Sequence, residues 1–286
     1  MRKLALSSLV ALSLSGVAQA QNVLVYDHYS NVPNTNWFIP AAITTNPTGT
    51  TGGNVFMGGI SLLAGVTGPT SLRGFDLSLV NSTGAAIPNT PGTTARLNFF
   101  IWNTIDTGTT STVFSDLAGS GSVNLDLGAR PTPLANNSVL FITAGATGPV
   151  GFPPLAGSPG VVFATPIAIT DESIGFSFNW QLNTGPDGAF QNVNGLTTLI
   201  TGSGATGAPT SVPPVVGTNG FALPNLGFFR SPDTSTDYAG NFNSTSSRSA
   251  GNNSGVMVRF YAIPEPTTLT LAAAAGAMVL RRKRKA

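Results

Sequence analysis

Between Ile174 and Asn183 the chain reads IGFSFNWQLN, in which Ile174, Phe176, Phe178, Trp180 and Leu182 alternate with Gly175, Ser177, Asn179, Gln181 and Asn183. Strict alternation puts one set of side chains on each face of an extended backbone, so the stretch predicts a half-buried β-strand. The same period recurs in GFDLSLVN, with Phe75, Leu77 and Leu79 inward, and in GVMVRFYA, with Val256, Val258 and Phe260 inward. ARLNFFIWNT alternates at Leu97, Phe99 and Ile101, but Phe100 and Trp102 make its second face apolar too, as in a central strand or one covered on both sides. Further strand candidates are Asn22 to Tyr29, Val55 to Leu63, Val123 to Leu127, Val139 to Thr143, Val161 to Ile169 and Phe221 to Phe229. Stretches such as TGPTS, NTPGTT and GPDG separate them with the chemistry of turns. With no 3.6-residue period between 21 and 262, about ten short strands predict an all-β body, an antiparallel two-sheet sandwich of jelly-roll type. The long Gly- and Pro-rich connections ATGPVGFPPLAGSPG and TGSGATGAPTSVPPVVGTNG read as surface loops rather than domain boundaries.

Charge and cysteine content narrow the function classes. Only 8% of the 286 residues are charged, against about 25% in an ordinary soluble domain. Seven of the thirteen positive charges are Arg2, Lys3 and the run 281–285. Residues 21–262 hold six arginines, no lysine and ten acids, a net charge of −4. The high pI therefore belongs to the two ends, and the body has no electrostatic basis for binding nucleic acid. Without cysteine there is neither a disulfide nor a thiolate metal site, so the body must be held by packing.

The first twenty residues, MRKLALSSLVALSLSGVAQA, give Arg2 and Lys3, an apolar run from Leu4, and the small-residue site Ala18-Gln19-Ala20. That order is the grammar of a secretory signal peptide, with cleavage expected after Ala20 and the body starting at Gln21. At the other end, Thr267 to Leu280 is fourteen nearly apolar residues, followed by Arg281, Arg282, Lys283, Arg284 and Lys285. As a helix this stretch is about 21 Å long, short against a hydrocarbon core of about 30 Å, which suits a transient anchor better than a permanent span. The basic run is expected to stay cytoplasmic and stop transfer. Pro264 and Pro266 flank Glu265 and keep this segment extended, in the form a protease can grip.

Pro264-Glu265-Pro266, a short apolar helix and an arginine-rich tail, in that order, resemble the PEP-CTERM sorting domain. The resemblance covers about residues 262–286. It implies recognition and removal of the tail by an exosortase-type membrane enzyme, a transient anchor in the cytoplasmic membrane, and arrival at the cell surface or in an extracellular polysaccharide matrix. The expected organisation is thus a signal peptide (1–20), a β-sandwich body (21–262) and a sorting segment (263–286). An ordinary tail anchor is the alternative reading of the same residues.

Candidate chemistry in the body is sparse. The single histidine, His28, would have to serve any His-based triad, and no G-x-S-x-G context is present; a strand histidine is the simpler reading. Glu172, beside Asp171 in an expected turn, is the only glutamate of the body. Asp233, Asp237 and Asn241 share a polar loop of the kind that suits Ca²⁺, although their spacing does not match an EF-hand and Asx turns in an exposed loop are the preferred reading. Trp37, Trp102 and Trp180 are the candidates for stacking on sugar rings. Trp180 lies on an inward face and reads as core, and Trp37, in the irregular polar segment NTNWFIP, is the better placed of the three for exposure, with burial still the simpler reading. Asn81, Asn136, Asn243 and Asn252 stand in formal glycosylation sequons that read as Asn/Ser/Thr-rich loops. No catalytic residue and no cofactor is expected. The leading reading is a non-enzymatic structural or interaction protein, with an exopolysaccharide-binding module and a secreted two-carboxylate hydrolase as the open alternatives.

Overall fold

The computed structural model describes residues 22–29, 37–38, 55–61, 70–107, 111–143, 146–148, 160–170, 173–186, 188–193, 195–201, 215–219, 229–231, 241–243 and 256–263. Segments 1–20 and 264–286, and with them the two expected terminal helices, lie outside the described residues, as do Asp171, Glu172 and most of the candidate strand Phe221 to Phe229. The described residues are all β, without a helix, and every strand pairing among them is antiparallel.

Two large sheets account for nearly all the strands among the described residues. The seven-stranded sheet runs β1 (Val23–Asp27), β17 (Arg259–Ile263), β4 (Thr70–Asn81), β7 (Ser138–Thr143) and β8 (Ala146–Gly148), and β9 (Val161–Ile169) and β12 (Leu196–Thr197) also pair with β4. The eight-stranded sheet runs β14 (Thr218–Asn219), β3 (Val55–Ser61), β10 (Ser173–Thr184), β5 (Thr93–Thr107), β6 (Ser111–Asp126) and β16 (Asn241–Asn243). Here β11 (Gln191–Asn192) joins β10, and β15 (Phe229–Ser231) joins β3. A separate pair is formed by β2 (Trp37–Phe38) and β13 (Ile200–Thr201). The long loops expected from their Gly and Pro content thus carry short strands at their ends.

The alternating residues do what their period requires. Phe75, Leu77 and Leu79 of β4, Phe260 of β17, Leu97, Phe99 and Ile101 of β5, and Phe176, Phe178 and Trp180 of β10 belong to one buried cluster shared by the two sheets. Phe75 meets Phe178 and Phe99 of the opposite sheet at ring-centroid distances of 5.0 and 5.4 Å. Burying each such side chain stabilises the fold by about 1.5–3 kcal/mol.

The other faces differ from the half-buried strands the alternation predicts. On β10, Ser177 and Asn179 are buried as completely as Phe178. This strand is central, between β3 and β5, and Ser177 lies directly opposite the bulky Phe100. On β4 and β17, the outward residues Asp76, Ser78, Val80, Arg259 and Tyr261 are buried as well. A second, smaller cluster of Tyr29, Val80, Phe141, Leu199 and Met257 covers the outer side of the seven-stranded sheet. Its lid is the segment after β12: Leu199 N–H donates to Ser78 Oγ at 2.9 Å, and Met257 N–H donates to Leu199 O at 3.0 Å.

That lid hangs on the turn at Gly195, whose φ of +86° an L side chain adopts only with strain. Its carbonyl accepts from both the N–H and the hydroxyl of Ser82, at 2.8 and 2.9 Å, and an added Cβ would lie 2.4 Å from Ser82 O. Gly195→Ala is therefore expected to destabilise the fold by more than about 1 kcal/mol, read as a lowered thermal midpoint. An unchanged midpoint would show that the turn reforms without glycine.

Candidate functional site

Most of the sequence-derived site residues lie outside the described residues: Ala18 and Ala20, Pro264, Glu265 and Pro266, the basic run 281–285, and Asp233 and Asp237. Asn241 opens β16 and pairs with Val113 of β6. No cluster of three His, Cys, Asp or Glu suited to a metal ion occurs among the described residues. His28 is fully buried just beyond β1; the Tyr26 hydroxyl lies 3.2 Å from its Nδ1, and its N–H donates to Val258 O. Trp180 is in the core as its alternation predicts, Trp102 is buried beside Phe100, and Trp37 lies in the short strand β2. Asn81 is fully buried: its Nδ2 donates to the carbonyls of Ala85 and Leu134 at 2.8 Å, and its Oδ1 accepts from Thr83. This sequon is a turn organiser, with no room for a glycan.

Two arrangements stand out. The first is a row of charge across three strands of the seven-stranded sheet, where Asp27 of β1, Arg259 of β17 and Asp76 of β4 are register neighbours. Arg259 Nε lies 3.4 Å from Asp27 Oδ1 and its Nη1 lies 3.2 Å from Asp76 Oδ2, with all three side chains almost completely buried. The Tyr261 hydroxyl donates to Asp76 Oδ2 at 2.8 Å, Gly160 N–H donates to Asp76 Oδ1 at 2.7 Å, and the Arg259 guanidinium lies 4.7 Å from the Tyr29 ring centroid. A Cβ at 160 would collide with Ile142 O, so only glycine brings that N–H to the carboxylate. Burial pushes the Asp76 carboxyl above its ordinary range, despite the hydrogen bonds and the Arg259 charge that pull it down. Burial pulls Arg259 the other way, and the charges of Asp27, Tyr261 and Asp76 outweigh it, so its pKa is raised. Burial likewise raises the Tyr29 and Tyr261 hydroxyls. Sequence reasoning assigned nothing to Asp27, Asp76 or Arg259. These two carboxylates do meet, as a hydrolase would need, but they meet across a guanidinium that contacts both.

The second arrangement is the outer face of the eight-stranded sheet. Register places Asn124, Arg96 and Gln181 in one row across β6, β5 and β10, and Ser122, Asn98 and Asn179 in the next. Asn98 Nδ2 donates to Gln181 Oε1 at 3.1 Å and to Asn179 Oδ1 at 3.4 Å, and Gln181 Nε2 donates to Asn192 Oδ1 at 3.2 Å. Arg96 Nε donates to Asn124 Oδ1 at 3.2 Å, and its guanidinium carbon lies over the Phe190 ring, 3.5 Å from the centroid. On the β6 side, Ser120, Ser122 and Asn124 are exposed. The alternation of IGFSFNWQLN had already assigned Asn179 and Gln181 to this face. The neighbours that complete the row came from pairing, which one strand alone does not disclose.

No family model, curated protein or solved structure matches the chain.

Proposed function

We propose that this is an exported β-sandwich protein of jelly-roll type, delivered to the cell surface or the extracellular matrix by a PEP-CTERM-like signal. An exosortase-type enzyme processes the signal, and the body serves there as a structural or interaction protein. The observation that carries the reading is the ordered trio of Pro264-Glu265-Pro266, apolar stretch and basic run, on a chain that starts with signal-peptide grammar. Support for a separable tail comes from β17, which ends at Ile263 and is paired on both sides, by β1 and by β4. A cut beyond Ile263 leaves every described strand of both sheets intact. Two antiparallel sheets sharing one core agree with the sandwich, and the low charge of the body suits display in a matrix.

The test is the intact mass and location of the native protein after separating membranes from medium and surface matrix. The expected result is a chain that starts at Gln21, ends near residue 265 and lies outside the membrane. A mass that retains residues 281–286 in the membrane fraction would mean a permanent tail anchor and would sink the exosortase reading.

A further inference from the structure

We infer that the outer face of the eight-stranded sheet binds a polysaccharide strand, laid across the amide row of Asn124, Arg96, Asn98, Gln181 and Asn192. The inference rests on the exported reading only in that the ligand is met outside the cell. Each carboxamide offers a donor and an acceptor, which matches the hydroxyls of a sugar, themselves both donor and acceptor. The row is already ordered by its own bonds: Asn98 to Gln181, Gln181 to Asn192 and Arg96 to Asn124. Little side-chain freedom is left to lose when a ligand arrives.

The charges on this face favour a polyol over other macromolecules. In the two central rows Arg96 is the only charged residue, and Asp126 of β6 follows one row on, opposite Thr94. A nucleic acid would need a cation for most phosphates, and a lipid surface would need exposed apolar area. The row borders a covered part of the same face. Asn179 and Ser177 on the same face are fully buried, yet Asn179 Nδ2 and Ser177 Oγ make no hydrogen bond. Both are covered by the chain itself, so the strand would lie on the half-exposed and exposed groups beside them, Asn98, Gln181 and Asn124.

The test is affinity electrophoresis of the full chain in neutral detergent, through gels containing hydroxyethylcellulose as a neutral glycan or polygalacturonate as a uronate chain. Retardation in either gel is expected, with the uronate gel alone pointing to Arg96 as the main contact. Asn98→Ala with Gln181→Ala should weaken apparent affinity at least about tenfold, as expected for two lost hydrogen bonds, while Thr165→Ala on β9 should change nothing. If the first pair lowers the thermal midpoint, Ser122→Ala with Asn124→Ala on the exposed β6 side reads the same surface. Absence of retardation in both gels, or retardation untouched by both pairs, would overturn the proposal. It would leave the export reading standing, since that reading is decided by mass and location.

Discussion

Arg259→Ala should cost about 3–5 kcal/mol of folding stability, the range for removing one partner from a buried ion pair. The variant leaves Asp27 and Asp76 facing each other across the lost guanidinium, both almost fully buried. Arg259→Lys should recover only part of the loss, because an ammonium cannot direct a fork of donors to two carboxylates on opposite strands. Replacing the whole row, by Asp27→Asn, Arg259→Met and Asp76→Asn together, should cost far less than Arg259→Ala, since no uncompensated charge remains. Urea unfolding of the full chain in detergent measures all three. If Arg259→Ala unfolds at the parent's urea midpoint, the row is a bystander to stability.

The same row sets a pH dependence. Burial raises the Asp76 carboxyl in the folded state, so at intermediate pH the folded chain holds a proton that the unfolded chain has already released. Its contribution to stability is full below the unfolded value of about 3.9 and is lost as pH rises through the higher folded value. Asp76→Asn should flatten the stability profile in that window.

How much of this was legible in the sequence depends on which face of a strand is considered. The inward faces of Phe75, Leu77 and Leu79, and of Phe176, Phe178 and Trp180, follow from alternation because one face of a sheet must be buried and these are the apolar sets. The outward faces do not follow. Arg259 in GVMVRFYA reads as a solvent-facing polar residue, yet it is buried, with Tyr29, far away in the chain, among the residues against it. Asp27 and Asp76 read as two unrelated acids, and only the register of β1, β17 and β4 brings them to one arginine. Pairing register is a property of several strands at once, so both the ion row and the amide row lay beyond any single stretch of sequence.

Phe75→Ala is the second large expected effect, a loss of about 3–5 kcal/mol from combined transfer and cavity terms. Phe75 sits where the two sheets meet: its ring is 5.4 Å from Phe99 on β5, 5.0 Å from Phe178 on β10, 5.6 Å from Phe163 on β9 and 5.9 Å from Phe260 on β17. Four strands from both sheets lose a contact when that ring is removed, and close-packed interiors relax only partly into such a space. Phe75→Leu keeps most of the volume and should cost under about 1.5 kcal/mol. Against a typical total of about 5–15 kcal/mol, the alanine variant should be visibly destabilised at room temperature while the leucine variant stays folded. The comparison also tests the architecture. If the sheets share one core, then in a background carrying Trp37→Phe and Trp102→Phe, Phe75→Ala must lower the urea midpoint of fluorescence from Trp180 on β10, although the substitution lies on β4. A Trp180 signal that keeps its parent midpoint would mean that the sheets unfold independently and that Phe75 does not join them.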